Sequence, residues 1–326
     1  MIDTGRIAQT ILLHGPSGVG KATLARRFAA ALLGDAGKIE ADDLSRDSIV
    51  EMLAEREKLP SDKRADDPLL VSSHPDFVTF PPDGPLRQIS IQQIRLLKDR
   101  ARFGPLKGAW RVFLIDQVDH ANEQAANSLL KILEEPPPYL IVLMTAENPY
   151  DLLPTIRSRS LQFGLSRLND AEMAGFLADR KVQDAEKRLA LAGGCPGAAI
   201  SLDWEAYAKR REAMLKLIES GLGKATFADW AKFGESIAAR KSEKLDEYLH
   251  VLYILLEDLL VMSHGRPPLR NRDLGARLEA LARAAKFPWI RAAVKQTDEL
   301  AELVRRNIQK GIALDALAVH LRQAAN

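Results

Sequence analysis

Four residues in this chain have the types and settings needed for phosphate chemistry: Lys21, Asp116, Thr145 and Arg159. Lys21 closes GPSGVGKAT, Gly15 to Thr23, which follows an apolar run from Thr10 to His14 and precedes the apolar segment Leu24 to Leu33. Strand, glycine-rich loop, lysine and helix is the order of a phosphate cradle. Gly15, Gly18 and Gly20 let backbone N–H groups converge on phosphates, the helix N-terminus adds its dipole, and the ammonium reaches the outer phosphates. Asp116 ends a second apolar run, Val112 to Ile115. An acid at the carboxyl end of a buried strand is suited to holding Mg²⁺ through water.

The same positions carry gaps in the chemistry. The residue after Lys21 is Ala22, where a metal-binding hydroxyl is needed. Thr23 lies one place on, about 100° around the helix, and substitutes poorly. Gln117 follows Asp116. Its amide can accept a hydrogen bond but cannot take a proton from an attacking water at neutral pH. The pattern is that of a nucleotide site stripped of its hydrolytic step, in which occupancy by ATP and Mg²⁺ is disfavoured.

The elements around these residues follow from periodicity. Ala125, Ala126, Leu129, Leu130, Ile132 and Leu133 recur at spacings of three and four, and Pro136 to Pro138 stop that helix after Glu135. Ser90 and Gln93 stand in capping-box register ahead of a helix with Ile91, Ile94, Leu97 and Ala101 on one face. Leu140 to Thr145 is a further buried strand, and Leu161 to Phe163 closes the sheet. About five strands alternate with helices, which predicts a parallel α/β sheet covered on both faces. Asp35 to Ser73 is polar and interrupted by prolines; it predicts a surface insertion with one short helix over Ile49–Lys58. His74 is expected to serve a turn in SHPDF. After Leu165 the strand pattern ends. Helices are expected over 169–180 and 184–192, followed by GGCPGAAI and six bundle helices from Trp204 onward, among them 271–285 as one helix and Trp289–Lys310.

The order NSLLKILEEPP after a DxxD strand end resembles the corresponding segment of bacterial DNA polymerase III clamp-loader subunits, which are AAA+ proteins. LLPTIRSRS, Leu152 to Ser160, resembles their SRC motif, with serine in place of cysteine. The resemblance covers essentially the whole chain. It implies a P-loop core over 1–164, a helical lid over 165–202 and a helical collar over 203–326 that joins subunits into a ring. It implies that Thr145 stands at the sensor position and that Arg159 points out of its own subunit at ATP held by a neighbour. A guanidinium suits that task because it stays charged and forks onto phosphoryl oxygens. The family's sensor-2 arginine is missing between Gly193 and Ile200. Only nine residues precede the first predicted strand, whereas a longer segment helps close the adenine pocket in the family.

Ala22, Gln117 and the missing arginine fail together, as in a subunit that keeps the family's shape without running its motor. The implied function is to close the loader ring, supply Arg159 in trans and help load a sliding clamp on primed DNA. The implied partners are tau/gamma-type and delta-type subunits, with clamp and DNA reached through the assembly. The enzyme alternative is a self-sufficient AAA+ ATPase using Gly15, Gly18, Gly20, Lys21, Thr23, Asp116 and Thr145. A direct DNA-binding module is a weaker reading, because 46 basic residues are interspersed with 44 acidic ones and form no stripe for phosphates. No cofactor is required by this reading. Many relatives carry a four-cysteine zinc module near residues 35–73, but this chain has one cysteine, Cys195, and zinc needs four donors. A lone cysteine, no signal-peptide pattern and no apolar run near the roughly 20 residues of a membrane span predict a soluble cytoplasmic protein.

Overall fold

The computed structural model describes residues 7–239, 244–265, 269–304 and 309–325. The chain divides into two compact units, 1–169 with 194–198, and 170–193 with 199–326.

In the first unit, β1 (Thr10–His14) leads through the glycine loop into α1 (Lys21–Leu33). The insertion is more ordered than its composition suggests. It forms α2 (Ala36–Ala41), α3 (Asp47–Glu57), α4 (Ser61–Asp66) and β2 (Val71–His74). Ile39 and Asp42 are fully buried, and Arg26 of α1 pairs with Glu40 and Asp43. A few buried anchors thus hold a segment whose remaining residues are solvated, which the expectation of a surface insertion with one helix missed. His74 does serve a turn, its Nδ1 accepting the Asp76 N–H at 3.1 Å.

β3 (Phe77–Phe80), α5 (Ile91–Ala101), β4 (Arg111–Ile115), α6 (Glu123–Glu134), β5 (Leu140–Ala146), α7 (Pro154–Ser158) and β6 (Leu161–Gly164) complete this unit. The sheet order is β2-β3-β4-β5-β1-β6. Five strands run parallel as expected, and β2 adds an antiparallel sixth at the edge. Side chains alternate across the sheet. Phe113 and Ile115 pack with Ile94, Leu97 and Leu129 on one face, while Val112 and Leu114 pack with Ala25, Ala29 and Ile39 on the other. The capping box at α5 has both halves: Ser90 accepts the Gln93 N–H, and Gln93 Oε1 accepts the Ser90 N–H at 2.9 Å.

The second unit is all-helical: α8 (Asp170–Asp179), α9 (Ala185–Ala192), the second half of α10 (Pro196–Ser201), α11 (Trp204–Gly221), α12 (Phe227–Ala239), α13 (Leu245–His264), α14 (Gly275–Ala282), α15 (Phe287–Val304) and α16 (Lys310–Gln323). Residues 240, 242–243 and 305–308, which the expected helix spans included, lie outside the described residues. The expected helix over 271–285 is shorter, because Arg272–Leu274 forms a 3-10 turn first. That turn is held by polar groups. Asp258 accepts the Arg270 and Asn271 N–H groups at 2.7 and 3.0 Å, and Asn271 Oδ1 accepts from the Tyr207 hydroxyl at 2.9 Å. Trp230, Leu252, Leu255, Leu278, Leu314 and Leu321 belong to the buried apolar core of this unit.

Candidate functional site

The parallel sheet places the glycine loop, Asp116 and Thr145 together at the carboxyl ends of neighbouring strands. The β1·β5 register pairs His14 with Ala146, and the β4·β5 register pairs Ile115 with Met144. Asp116 and Thr145 therefore stand side by side, one residue past the Ile115–Met144 pair.

The loop has the backbone its glycines imply. Gly15, Gly18 and Gly20 have φ of 144°, 75° and 106°, values that disfavour a side chain. Lys21 is turned inward. Its Nζ donates to the Gly15 carbonyl at 2.6 Å and the Pro16 carbonyl at 2.9 Å. Burial holds the ammonium below its ordinary pKa, opposed by Glu147, Asp116 and Asp119. The residues around Cys195 also touch this loop. The Gly197 N–H donates to the Gly18 carbonyl at 2.7 Å, and a Cβ on Gly18 would stand 2.8 Å from the Ala198 nitrogen. The lack of an arginine in this segment was legible in the sequence, but its backbone contact with the glycine loop was not.

Thr145 occupies a junction. Its hydroxyl donates to Asp116 Oδ1 at 2.5 Å and accepts the Gln117 N–H at 2.8 Å. Asp116 is buried, and burial pushes its carboxyl above the ordinary range, while the Thr145 hydroxyl and Lys21 pull it back. Gln117 sits in the left-handed region at φ 54°, ψ 55°. Thr23, on α1, is half-buried. No group of three or more His, Cys, Asp or Glu side chains is placed to hold a metal ion among the described residues.

Arg159 lies elsewhere, immediately after α7. Its guanidinium donates from NH1 to the Thr155 carbonyl at 3.1 Å, and NH2 forms an ion pair with Glu134, 2.8 Å from Oε1. Two residues earlier, the Arg157 guanidinium lies 4.9 Å from the centre of the exposed Tyr150 ring. In the sequence Glu134 stood out only as part of the NSLLKILEEPP segment, in a helix expected to stop after Glu135. The available signal was its position: a carboxylate at a helix C-terminus opposes the helix dipole, so a second reason for it was worth seeking.

A glycine-rich loop between β1 and α1 of a two-sided parallel sheet, with an acid at the end of β4 and a threonine on β5, is the arrangement of a P-loop α/β fold. Residues 1–169 match the family described as DNA polymerase III, delta subunit, and the chain belongs to that family. The delta' subunit of DNA polymerase III from Pseudomonas aeruginosa is 29% identical over 237 residues, 68% of this chain and 65% of that protein. The delta' subunit from Escherichia coli K12 is 29% identical over 221 residues, 64% of this chain and 62% of that protein. These place the chain with the delta-prime type, and the match spans a little under two thirds of those relatives' length. The gamma/tau subunit from Mycobacterium tuberculosis is 31% identical over 177 residues, 54% of this chain and 28% of that protein. Among solved structures, a DNA polymerase III gamma subunit-related protein from Thermotoga maritima aligns over 100% of this chain and 98% of its own, at 17% identity and a TM-score of 0.45. No described helix is long and apolar enough to cross a membrane.

Proposed function

We propose that this chain is a clamp-loader subunit of the DNA polymerase III holoenzyme that acts on a neighbour's nucleotide rather than on its own. It closes the loader ring with tau/gamma-type and delta-type subunits, presents Arg159 to an adjacent ATP site, and helps place a sliding clamp on primed DNA. The helical bundle of the second unit serves as the collar that holds the ring.

The observation that carries this reading is the engagement of Lys21 with the carbonyls of Gly15 and Pro16. To meet an outer phosphate the ammonium would have to abandon both bonds. Ala22 and Gln117 remove the metal-binding hydroxyl and the general base that would reward that opening. Arg159, by contrast, is exposed.

The alternative is a self-sufficient ATPase. It is supported by Lys21 in the glycine loop and by the adjacent side chains of Asp116 and Thr145. Steady-state ATP hydrolysis by the purified chain, beside a Lys21→Ala control, separates the two. Equal background rates support action in trans, and turnover by the wild-type chain above the control overturns it.

A further inference from the structure

We infer that Glu134 is the positioning residue for the Arg159 guanidinium, fixing the direction in which it meets a neighbour's phosphates. The inference rests on the reading of Arg159 as a group acting in trans.

Local helix energetics do not account for an acid at Glu134. It is the last residue of α6, where backbone carbonyls point outward and the helix dipole is negative, and Glu135 follows it directly. Its backbone is nevertheless held firmly. Asn122 caps the start of α6 through the Ala125 N–H at 2.8 Å, Leu129 and Leu133 bury the helix in the core, and Pro136 begins its stop. A carboxylate on such a support is a fixed reference point for a side chain that reaches it.

Arg159 does reach it. A guanidinium has five N–H groups. One on NH1 meets the Thr155 carbonyl, and NH2 stands in an ion pair 2.8 Å from Glu134 Oε1. The hydrogen bond and the ion pair come from different segments and together restrict the direction of the guanidinium, while its other N–H groups stay open to a phosphoryl group. The contact joins two solvent-exposed side chains, 35% and 48% accessible, so it is weak and salt-screened. It orients the arginine without holding it against transfer of part of its charge to phosphate. Preorganisation of this kind raises a rate by reducing the ordering needed at the moment of reaction.

The test is steady-state ATP hydrolysis by the complete reconstituted loader with clamp and primed DNA. The chain is supplied as wild type, Glu134→Ala, Glu134→Gln, Arg159→Ala or the Glu134→Ala/Arg159→Ala double variant. Glu134→Ala is expected to lower kcat severalfold with KM for ATP unchanged, since the neighbour's own site binds the nucleotide. Glu134→Gln keeps the size of the side chain and removes its charge, and is expected to slow the loader as Glu134→Ala does. In the Arg159→Ala background, Glu134→Ala is expected to cost nothing more. If Arg159→Ala slows the loader but Glu134→Ala does not, the positioning role is overturned and action in trans stands. If Glu134→Ala costs the same in both backgrounds, its effect is structural and the inference is also overturned. If Arg159→Ala changes nothing, the reading beneath the inference fails, and the inference with it.

Discussion

The Thr145 hydroxyl sits 2.5 Å from Asp116 Oδ1 and binds the carboxylate of a neighbouring strand end. In the same place it accepts the Gln117 N–H, so one hydroxyl satisfies a buried acid and a backbone donor in left-handed conformation. The residue expected to sense a phosphate is fully engaged inside its own subunit. Replacing it by valine, which keeps the shape and removes both bonds, leaves polar groups without partners in the interior. The expected loss is about 1–3 kcal/mol, read as a fall of several degrees in Tm. Thr145→Ser is expected to stay near wild type. An unchanged Tm for Thr145→Val would show that the hydroxyl contributes nothing to the fold.

The glycine loop offers a graded comparison. A Cβ on Gly15 would lie 2.2 Å from the Leu165 carbonyl oxygen, whereas one on Gly20 meets nothing within 4 Å. Both residues have positive φ, so both alanine variants store backbone strain of roughly 1–3 kcal/mol, and only Gly15→Ala adds a clash with rigid backbone. Chemical denaturation should find Gly15→Ala clearly less stable than Gly20→Ala. Equal losses would mean that the loop can move away from β6's trailing residue without cost.

Ligand linkage tests the nucleotide site without any assay of turnover. A ligand present at a hundredfold its dissociation constant stabilises the state it binds by about 2.7 kcal/mol. With Lys21 tied to Gly15 and Pro16, millimolar ATP with Mg²⁺ is expected to leave the Tm of the isolated chain unchanged. An upward shift that disappears in Lys21→Ala would show that the loop opens to nucleotide.

In the helical unit, the Tyr207 hydroxyl donates to Asn271 in a buried network. Burial pushes its pKa from 10.0 up to about 12, against the pull of Asn271 and Arg211. The native state therefore keeps this proton after the unfolded chain has released it. Linkage makes stability fall as pH rises between those two values, with no effect below pH 10.0. Tyr207→Phe should cost about 0.5–1.5 kcal/mol at neutral pH and lose less stability than wild type across the alkaline window. Parallel pH profiles would contradict the buried phenol.

Much of this was legible in the sequence because it depends on local pattern. Val112 to Ile115 is apolar throughout and Pro136 follows α6, so β4 and the end of α6 could be placed from the chain alone. Ser90 and Gln93 fixed the start of α5 by spacing. What was not legible depends on contacts distant in sequence. Nothing in GGCPG indicates that Gly197 will donate to Gly18, nor does LEEPP show that Glu134 will meet Arg159. The order within Asp35 to Ser73 was hidden for a related reason. Ile39, Asp42 and Arg26 secure it through a few buried contacts, and its average composition is dominated by solvated residues.

The central claim is that Arg159 works on a neighbour's nucleotide. The direct measurement is steady-state ATP hydrolysis by the reconstituted loader, with clamp and primed DNA, carrying either the wild-type chain or Arg159→Ala. Assembly is checked by gel filtration and folding by Tm, both expected to be unchanged because Arg159 is exposed. Fingers of this kind contribute on the order of 10³–10⁵ at the site they serve; with other sites in the ring still working, the whole assembly is expected to slow severalfold. An intact assembly that hydrolyses ATP at the wild-type rate with Arg159→Ala would contradict the account and leave the chain a scaffold.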